Sequence, residues 1–270
     1  MITSTSNPRI KQLVQWQSKV KERRRDGVFV AEGLKMLEEA PPRLIREIYL
    51  TRELIASLKN GKTDKEQSLL NKVESVGFEL VTDEVMKRAA DTQTPQGVLT
   101  VLRQPSYEQE EILSAENGLY LLLEDLQDPG NLGTILRTGE GAGITGVIMT
   151  KGTVDIFNPK TIRATMGSVF RVPFLYVERL SDILEEMRRR KIATYAAHLQ
   201  GKDSYDAFSF SAGTAFLIGN EANGLKEETA ALADFYLKIP MEGSLESLNA
   251  AVSASLLMYE AYRQRRKCEK

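Results

Sequence analysis

After residue 118 the sequence repeats a single alternation that leaves few folds open. Short apolar runs at 119–123, 146–149, 191–197, 214–218 and 235–239 are separated by stretches with helical spacing. Runs of this length without polar alternation read as strands buried on both faces, and such strands need helices above and below them. The pattern therefore predicts a parallel sheet flanked by helices, an α/β fold, closed by a last helical stretch at 247–265. No internal repeat or low-complexity tract interrupts it.

The first hundred residues form a separate α/β unit of domain size. A helix is expected over 8–21 with Asn7 as its cap, then a strand at 27–31 and a helix that ends before Pro41-Pro42. Strands follow at 45–50 and 77–81 with a helical stretch between them, Thr82 or Asp83 caps a short helix, and 97–102 is the last strand. Residues 105–117 are polar, acidic and without period, so the boundary falls there: 1–105 as the first domain, 106–117 as a linker and 118–270 as the second domain.

Composition narrows the chemistry. With 42% hydrophobic and 27% charged residues, the 270-residue chain has the make-up of a water-soluble globular protein. No apolar run reaches the roughly 18 residues of a membrane span, and the N-terminus lacks a signal-peptide core. A single cysteine, Cys268, leaves no internal disulfide and no cysteine metal cluster. A single histidine, His198, leaves a histidine metal site or a Ser-His-Asp triad without support, so no metal is expected. A reducing, cytoplasmic location follows. The formal net charge is −1, yet Arg9, Lys11, Lys19, Lys21, Arg23, Arg24 and Arg25 face only Glu22 within 9–25. Such a cluster contacts phosphates or is a solvated helix face. Arg265-Arg266-Lys267 reads as a solvated helix end that suits the helix dipole.

The glycine-rich stretch DPGNLGTILRTGEGAG, 128–143, contains part of a G-x-G-x-x-G pattern through Gly141, Gly143 and Gly146. A dinucleotide fingerprint needs a strand before it and a helix after it. Here 128–131 reads as a turn and 132–140 as a helix, and the glycines close that helix, so the order is reversed and the dinucleotide reading fails. Ligands of parallel sheets sit at the C-terminal strand edges. Three such exits carry unusual residues: 128–137, the run Gly219-Asn220-Glu221-Ala222-Asn223-Gly224, and 240–249 with Pro240-Met241-Glu242-Gly243-Ser244 and Ser247-Leu248-Asn249. Taken singly, each is an ordinary turn composition.

Taken in order, the three exits resemble the three motifs of the SpoU (TrmH-like) RNA ribose 2′-O-methyltransferases of the SPOUT superfamily. Asn131 and Arg137 match the first motif, Gly219, Glu221 and Gly224 the second, and Ile239, Pro240, Met241, Gly243, Ser247, Leu248 and Asn249 the third. FNPKTIRATMGSVFRVP, 157–173, is similar to the family's linker between the first two motifs. After S-L-N the family often has Val-Ser where this chain has Ala250-Ala251, a change in helix packing. The first half resembles, through S-N-P-R-I-K and V-F-V-A-E-G, the smaller RNA-binding domain often attached to these enzymes.

The resemblance implies a C-terminal α/β trefoil-knot domain, S-adenosyl-L-methionine as cofactor, a homodimer formed through that domain and RNA as partner. Gly219, Ile239, Met241 and Leu248 are the expected cofactor contacts. Asn131, Arg137, Glu221 and Asn249 are the expected catalytic set. Methyl transfer from a sulfonium to a ribose hydroxyl asks the protein to align the hydroxyl and help its proton leave. Arg137 would hold the adjacent phosphate and stabilise the developing alkoxide. A guanidinium with a pKa above about 12 is a poor base, so either Arg137 or a phosphate or water that it orients takes the proton. Asn131 would position Arg137 or the ribose, and Glu221 would orient Arg137 or a neighbouring amide, with an ion pair to Arg137 as its structural role. Ser247 is expected to cap the last helix or to join the site. Arg163 and Ser168 are candidates for RNA or dimer contacts, and His198 for a packed polar residue beside the cofactor. The two-domain layout points to ribosomal RNA. The alternatives are a transfer-RNA ribose methyltransferase and a non-catalytic RNA-binding protein of the same fold.

Overall fold

The computed structural model describes residues 1–245 and 247–268. It divides into two compact units, Met1–Pro105 with Asp155–Phe170, and Ser106–Val154 with Arg171–Lys270. The segment Asp155–Phe170 thus belongs to the first unit, although in sequence it lies between two strands of the second.

In the first unit the order is α1 (Pro8–Ser18), α2 (Val20–Asp26), β1 (Val28–Glu32), α3 (Leu34–Glu39), β2 (Ile45–Thr51), α4 (Arg52–Asn60), α5 (Asp64–Val76), β3 (Glu79–Val81), α6 (Asp83–Ala89) and β4 (Val98–Arg103). The sheet order is β1-β4-β2-β3, with β4 antiparallel to β1 and β2 and β3 parallel to β2. Leu13, Trp16, Val30, Tyr49, Val85 and Leu99 pack between this sheet and the helices α1 and α6. The Asn7 side chain accepts from the Arg9 amide and Pro8 opens α1, as a cap followed by proline should.

The single helix expected over 8–21 is broken. Lys19 leaves helical geometry (φ −122°, ψ 113°), and the reason is Arg23. Its side chain, 2% exposed, donates Nη1 to the terminal carbonyls of α1 on Trp16 (2.7 Å) and Gln17 (3.0 Å), and its Nη2 pairs with Asp155 at 2.6 Å. A charge at the C-terminal end of α1 suits the helix dipole, but reaching it requires α2 to turn back on α1. Gly27 in the left-handed region (φ 61°) then ends α2.

The second unit contains α7 (Gln109–Ile112), β5 (Leu119–Leu123), α8 (Pro129–Ala142) and β6 (Gly146–Thr150). After α9 (Pro159–Thr165), which lies in the segment of the first unit, come β7 (Phe174–Val177), α10 (Leu180–Arg189), β8 (Ala193–Ala197), β9 (Asp203–Ser204), β10 (Thr214–Ile218), α11 (Glu227–Ala230), β11 (Phe235–Lys238) and α12 (Ala250–Cys268). The sheet order is β7-β6-β5-β10-β8-β11-β9 and every pairing is parallel. β5, β6 and β10 are buried along their whole length, which is why their sequences lack alternation. Neither edge strand was expected: β9 has only two residues, while β7 is a four-residue apolar run, Phe174–Val177, half-buried over Leu175–Val177.

From β5 the chain runs outward through β6 to β7, while β8 and β10 lie on the other side of β5. Strand order therefore reverses between β5 and β10, the place where open α/β sheets offer a crevice at their C-terminal edge. α8 starts earlier than the expected 132, because Asp128 caps it by accepting from the Asn131 amide at 2.8 Å and Pro129 fills its first turn. Arg265 is not the solvated helix end the sequence suggests. It is half-buried and donates to the carbonyls of Asn117, Gly118, Phe210 and Ala212, tying α12 to two loops. Among the described residues no helix is long and apolar enough to cross a membrane.

Candidate active site

The site is built at the exits of β5, β10 and β11. β5 continues into Glu124, whose amide donates to the carbonyl of Ile218 at the end of β10 (2.9 Å). Asp125 then adopts the left-handed region (φ 53°), a strained backbone for a residue with a side chain, of a kind that clusters at functional sites. This bend turns the Asp125 carbonyl toward the next loop, where it accepts from Asn220 Nδ2 (2.8 Å) and Gln127 Nε2 (2.9 Å). The Asp125 carboxylate is held by Lys226 at 2.8 Å and by the Thr150 hydroxyl. These contacts, Lys226 first, keep it below the ordinary aspartate range.

The β10 exit is a tight turn. Asn220 and Gly224 exchange both backbone hydrogen bonds (3.0 and 2.9 Å), with Gly224 at φ 68°. The Asn220 side chain also accepts from the amides of Ala222 and Asn223. Gly219 is required by close approach. A Cβ there would lie 2.0 Å from the Gly224 carbonyl carbon and 2.1 Å from the Leu225 nitrogen, both backbone atoms that cannot swing away.

This turn aims Glu221 across the crevice. Its Oε2 accepts from the Gln127 amide (3.0 Å), and its Oε1 from the Asp128 amide (3.0 Å) and from Asn131 Nδ2 (3.0 Å). Burial pushes the Glu221 carboxyl up, but the Gln127 amide, the Asn131 side chain and the Asp128 amide together bring it below the ordinary glutamate range. Asn131 Oδ1 in turn accepts from Asn249 Nδ2 at 2.9 Å. Asn249 Oδ1 accepts from the amides of Ala251 (2.9 Å) and Val252 (3.3 Å), so Asn249, not Ser247, caps α12. The four expected catalytic residues therefore divide. Asn131, Glu221 and Asn249 form one hydrogen-bonded chain, while Arg137 stands apart, exposed on α8 and, among the described residues, without an ion pair. Of the two partners expected for Glu221, neighbouring amides are contacted and Arg137 is not, because the carboxylate is occupied by the start of α8.

Of the expected cofactor contacts, Ile239, Met241 and Leu248 are half-buried on a loop whose other described residues from Pro240 to Ser247 are exposed. His198 lies at the exit of β8; its amide donates to the Leu237 carbonyl (3.0 Å) and its ring packs on Tyr236 at 5.1 Å. Arg163 pairs with Asp91 at 2.6 Å within the first unit. Ser168, 2% exposed, is buried and presents no surface to RNA or a partner. Sequence reasoning overlooked Asp125, Gln127 and Asn220. Only Asn220 left a signal, in the N-x-x-N-G run of a tight turn. Among the described residues no group of three or more His, Cys, Asp or Glu side chains is placed to hold a metal.

Comparison with known proteins agrees with this layout. Residues 118–259 match the model of the SpoU rRNA Methylase family, and residues 7–100 that of the MRM3-like substrate binding domain. The 23S rRNA (guanosine(2553)-2'-O)-methyltransferase of Bacillus subtilis is 30% identical over 262 residues, 96% of this chain and 97% of that one. The 23S rRNA (uridine(2479)-2'-O)-methyltransferase of Streptomyces viridochromogenes is 29% identical over 93% of this chain and 89% of that one. A SpoU methyltransferase from Streptomyces viridochromogenes, solved in complex with AdoMet, superposes with a TM-score of 0.83 at 27% identity, covering 97% of this chain and 100% of that one. With residues 118–259 matched by the family model and 96% of its length shared with a relative 30% identical to it, the chain belongs to the SpoU rRNA methylase family.

Proposed function

We propose that this protein is an S-adenosylmethionine-dependent methyltransferase that modifies ribose 2′-hydroxyls of ribosomal RNA. The observation that carries the reading is the hydrogen-bonded chain Asn249–Asn131–Glu221, which ties the exits of three strands together at the point of strand reversal. The names of the relatives support ribosomal RNA as the substrate.

The residues fit the cofactor. Ile239, Met241 and Leu248 offer half-buried apolar surface for an adenosyl group, and Gly219 keeps the neighbouring loop free of a side chain. When bound, the cofactor supplies an activated methyl group. What remains for the protein is the 2′-hydroxyl and its proton. Glu221 is ill suited as base, since its carboxylate already accepts from two amides and Asn131 and sits below the ordinary range. We assign it, with Asn131 and Asn249, to positioning. Arg137, whose guanidinium is unspent, grips the phosphate beside the target ribose and stabilises the oxygen as the proton passes to phosphate or water.

The reading includes a homodimer through the second unit. α12 exposes Val252 (47%), Leu256 (37%) and Tyr259 (47%), and these line a cleft of about 550 Å³ with Thr134 and Thr138 of α8. Arg137 follows Thr134 by three positions, on the same helix face, so a second copy seated there meets Arg137. It also includes the trefoil knot, a cytoplasmic location and a role for 1–105 in binding RNA. The test is tritium transfer from labelled S-adenosylmethionine to ribosomal RNA of a strain lacking this gene. Label in alkali-resistant dinucleotides with the wild type, but not with Arg137→Ala, is the expected result; cofactor binding without transfer to any ribosomal RNA removes the substrate assignment.

A further inference from the structure

The structure sorts the basic cluster of residues 9–25 into two groups. Arg9 pairs with Glu47 (3.2 Å) and Glu79 (3.1 Å), Arg23 is buried against Asp155, and Arg25 pairs with Glu22 (2.7 Å) and Asp26 (2.9 Å). Lys11, on α1, and Lys19, Lys21 and Arg24 are exposed and, among the described residues, have no ion-pair partner. Lys21 and Arg24 lie three positions apart on the outer side of α2, opposite the buried Arg23, and Lys19 sits at the break before it. Two unpaired cations on the seven-residue α2 and a third at its N-cap repel one another, while Arg23 anchors the helix from its buried side.

A cleft of about 510 Å³ adjoins this helix. It is lined by Gln12, Trp16, Asp26, Arg46 and Tyr49, among others, and Asp26 is the last residue of α2. The Asp26 carboxylate holds the floor by accepting from Trp16 Nε1 (2.8 Å) and Gln12 Nε2 (3.1 Å). Above it the Arg46 guanidinium, its side chain 43% exposed, lies 5.5 Å from the Trp16 ring centroid. One face of Arg46 is thus spent on Trp16. Planar guanidinium groups backed by an aromatic ring are platforms on which unstacked RNA bases lie. The volume is in the range of small-ligand pockets, about 300–1,000 Å³.

We propose that α2 and this cleft form the RNA grip of the first unit: Lys19, Lys21 and Arg24 contact successive phosphates of a single-stranded segment, and one of its bases enters the cleft against Arg46. The assignment rests on the RNA-methyltransferase reading and adds to it the surface and the form of RNA recognised. A duplex cannot place a base there without opening, so the grip selects loops and bulges.

The experiment uses the full-length protein and an unstructured single-stranded oligoribonucleotide, with binding followed by the emission of Trp16, the only tryptophan of the chain. Wild type is compared with K19Q/K21Q/R24Q, with the charge-conserving K19R/K21R/R24K and with Arg46→Ala. Three lost phosphate contacts at about 0.7 each make the slope of log Kd against log salt shallower by about 2 in the first variant and leave it unchanged in the second. Arg46→Ala removes the Trp16 response while the salt slope stays. Melting temperature and S-adenosylmethionine affinity are the same in all four. An unchanged slope in K19Q/K21Q/R24Q overturns the assignment, as does loss of binding to phosphatidylserine vesicles instead of RNA. If the wild type transfers methyl groups to ribosomal RNA but shows no Trp16 response, the grip is wrong and the enzyme reading stands. If it binds S-adenosylmethionine but neither transfers nor binds RNA, the enzyme reading fails with it.

Discussion

Asn249 and Asn131, 118 positions apart, are joined by a 2.9 Å hydrogen bond in which Nδ2 of the first donates to Oδ1 of the second. The same Asn249 side chain caps α12 through its other end. One residue therefore sets where the last helix begins and where the first loop of the site stands.

The two roles of Asn249 separate by substitution. Serine is a good helix cap but cannot reach Asn131, whereas alanine does neither. Asn249→Ser is expected to keep the melting temperature, and Asn249→Ala to lose about 1 kcal/mol of stability. Both lose methyl transfer by about tenfold, the scale of one hydrogen bond. Calorimetry beside single-turnover transfer checks this; equal transfer by both variants and the wild type removes Asn131–Asn249 from the site.

Glu221 offers two carboxylate oxygens to three donors, and glutamine has one acceptor. Glu221→Gln places an amide NH2 against backbone N–H groups and costs the loop about 1–3 kcal/mol. Faster hydrogen exchange at Gln127 and Asp128, with the global melting temperature little changed, is the expected signature. For the wild type the sign follows from the lowered folded-state pKa. The stabilisation is fully present above the ordinary glutamate value and is lost as pH falls through the lower folded one. Exchange protection of these two amides should therefore persist at pH 5 and fade only under more acid conditions; a break near neutral pH contradicts the assignment.

Gly219→Ala tests whether the β10 exit can relax. Its Cβ would meet backbone of Gly224 and Leu225 at 2.0 to 2.2 Å, so the turn itself must move. Overpacking of this kind costs about 1–3 kcal/mol. S-adenosylmethionine affinity is expected to fall tenfold or more in isothermal titration; unaltered affinity would show that the loop is not part of the cofactor site.

Arg265→Met removes a donor shared by four carbonyls while keeping apolar length. Leaving such carbonyls unpaired costs about 2–4 kcal/mol. The expected outcome is a lower denaturation midpoint and looser exchange at 208–213, with the α2 face of the first unit unaffected.

What the sequence determined by itself is the local and the repetitive. Unbroken apolar runs required β5, β6 and β10 to be buried on both faces, and Asn7-Pro8 set the start of α1. The resemblance of the three loops, in order, to the SpoU motifs brought Asn131, Arg137, Glu221 and Asn249 under suspicion together. Tertiary structure decided which of them touch. Glu221 was expected on Arg137 or a neighbouring amide, and the fold selects two amides and Asn131 over Arg137, because the β10 turn faces the N-terminal end of α8. Likewise seven basic residues look alike in sequence, and only packing sends Arg23 inward to the end of α1 and leaves Lys19, Lys21 and Arg24 outside. The reason is common to both cases. Periodicity and capping act through neighbours along the chain, whereas the partner of a charge is chosen by which elements the fold brings within about 3 Å, and no local pattern encodes that distance.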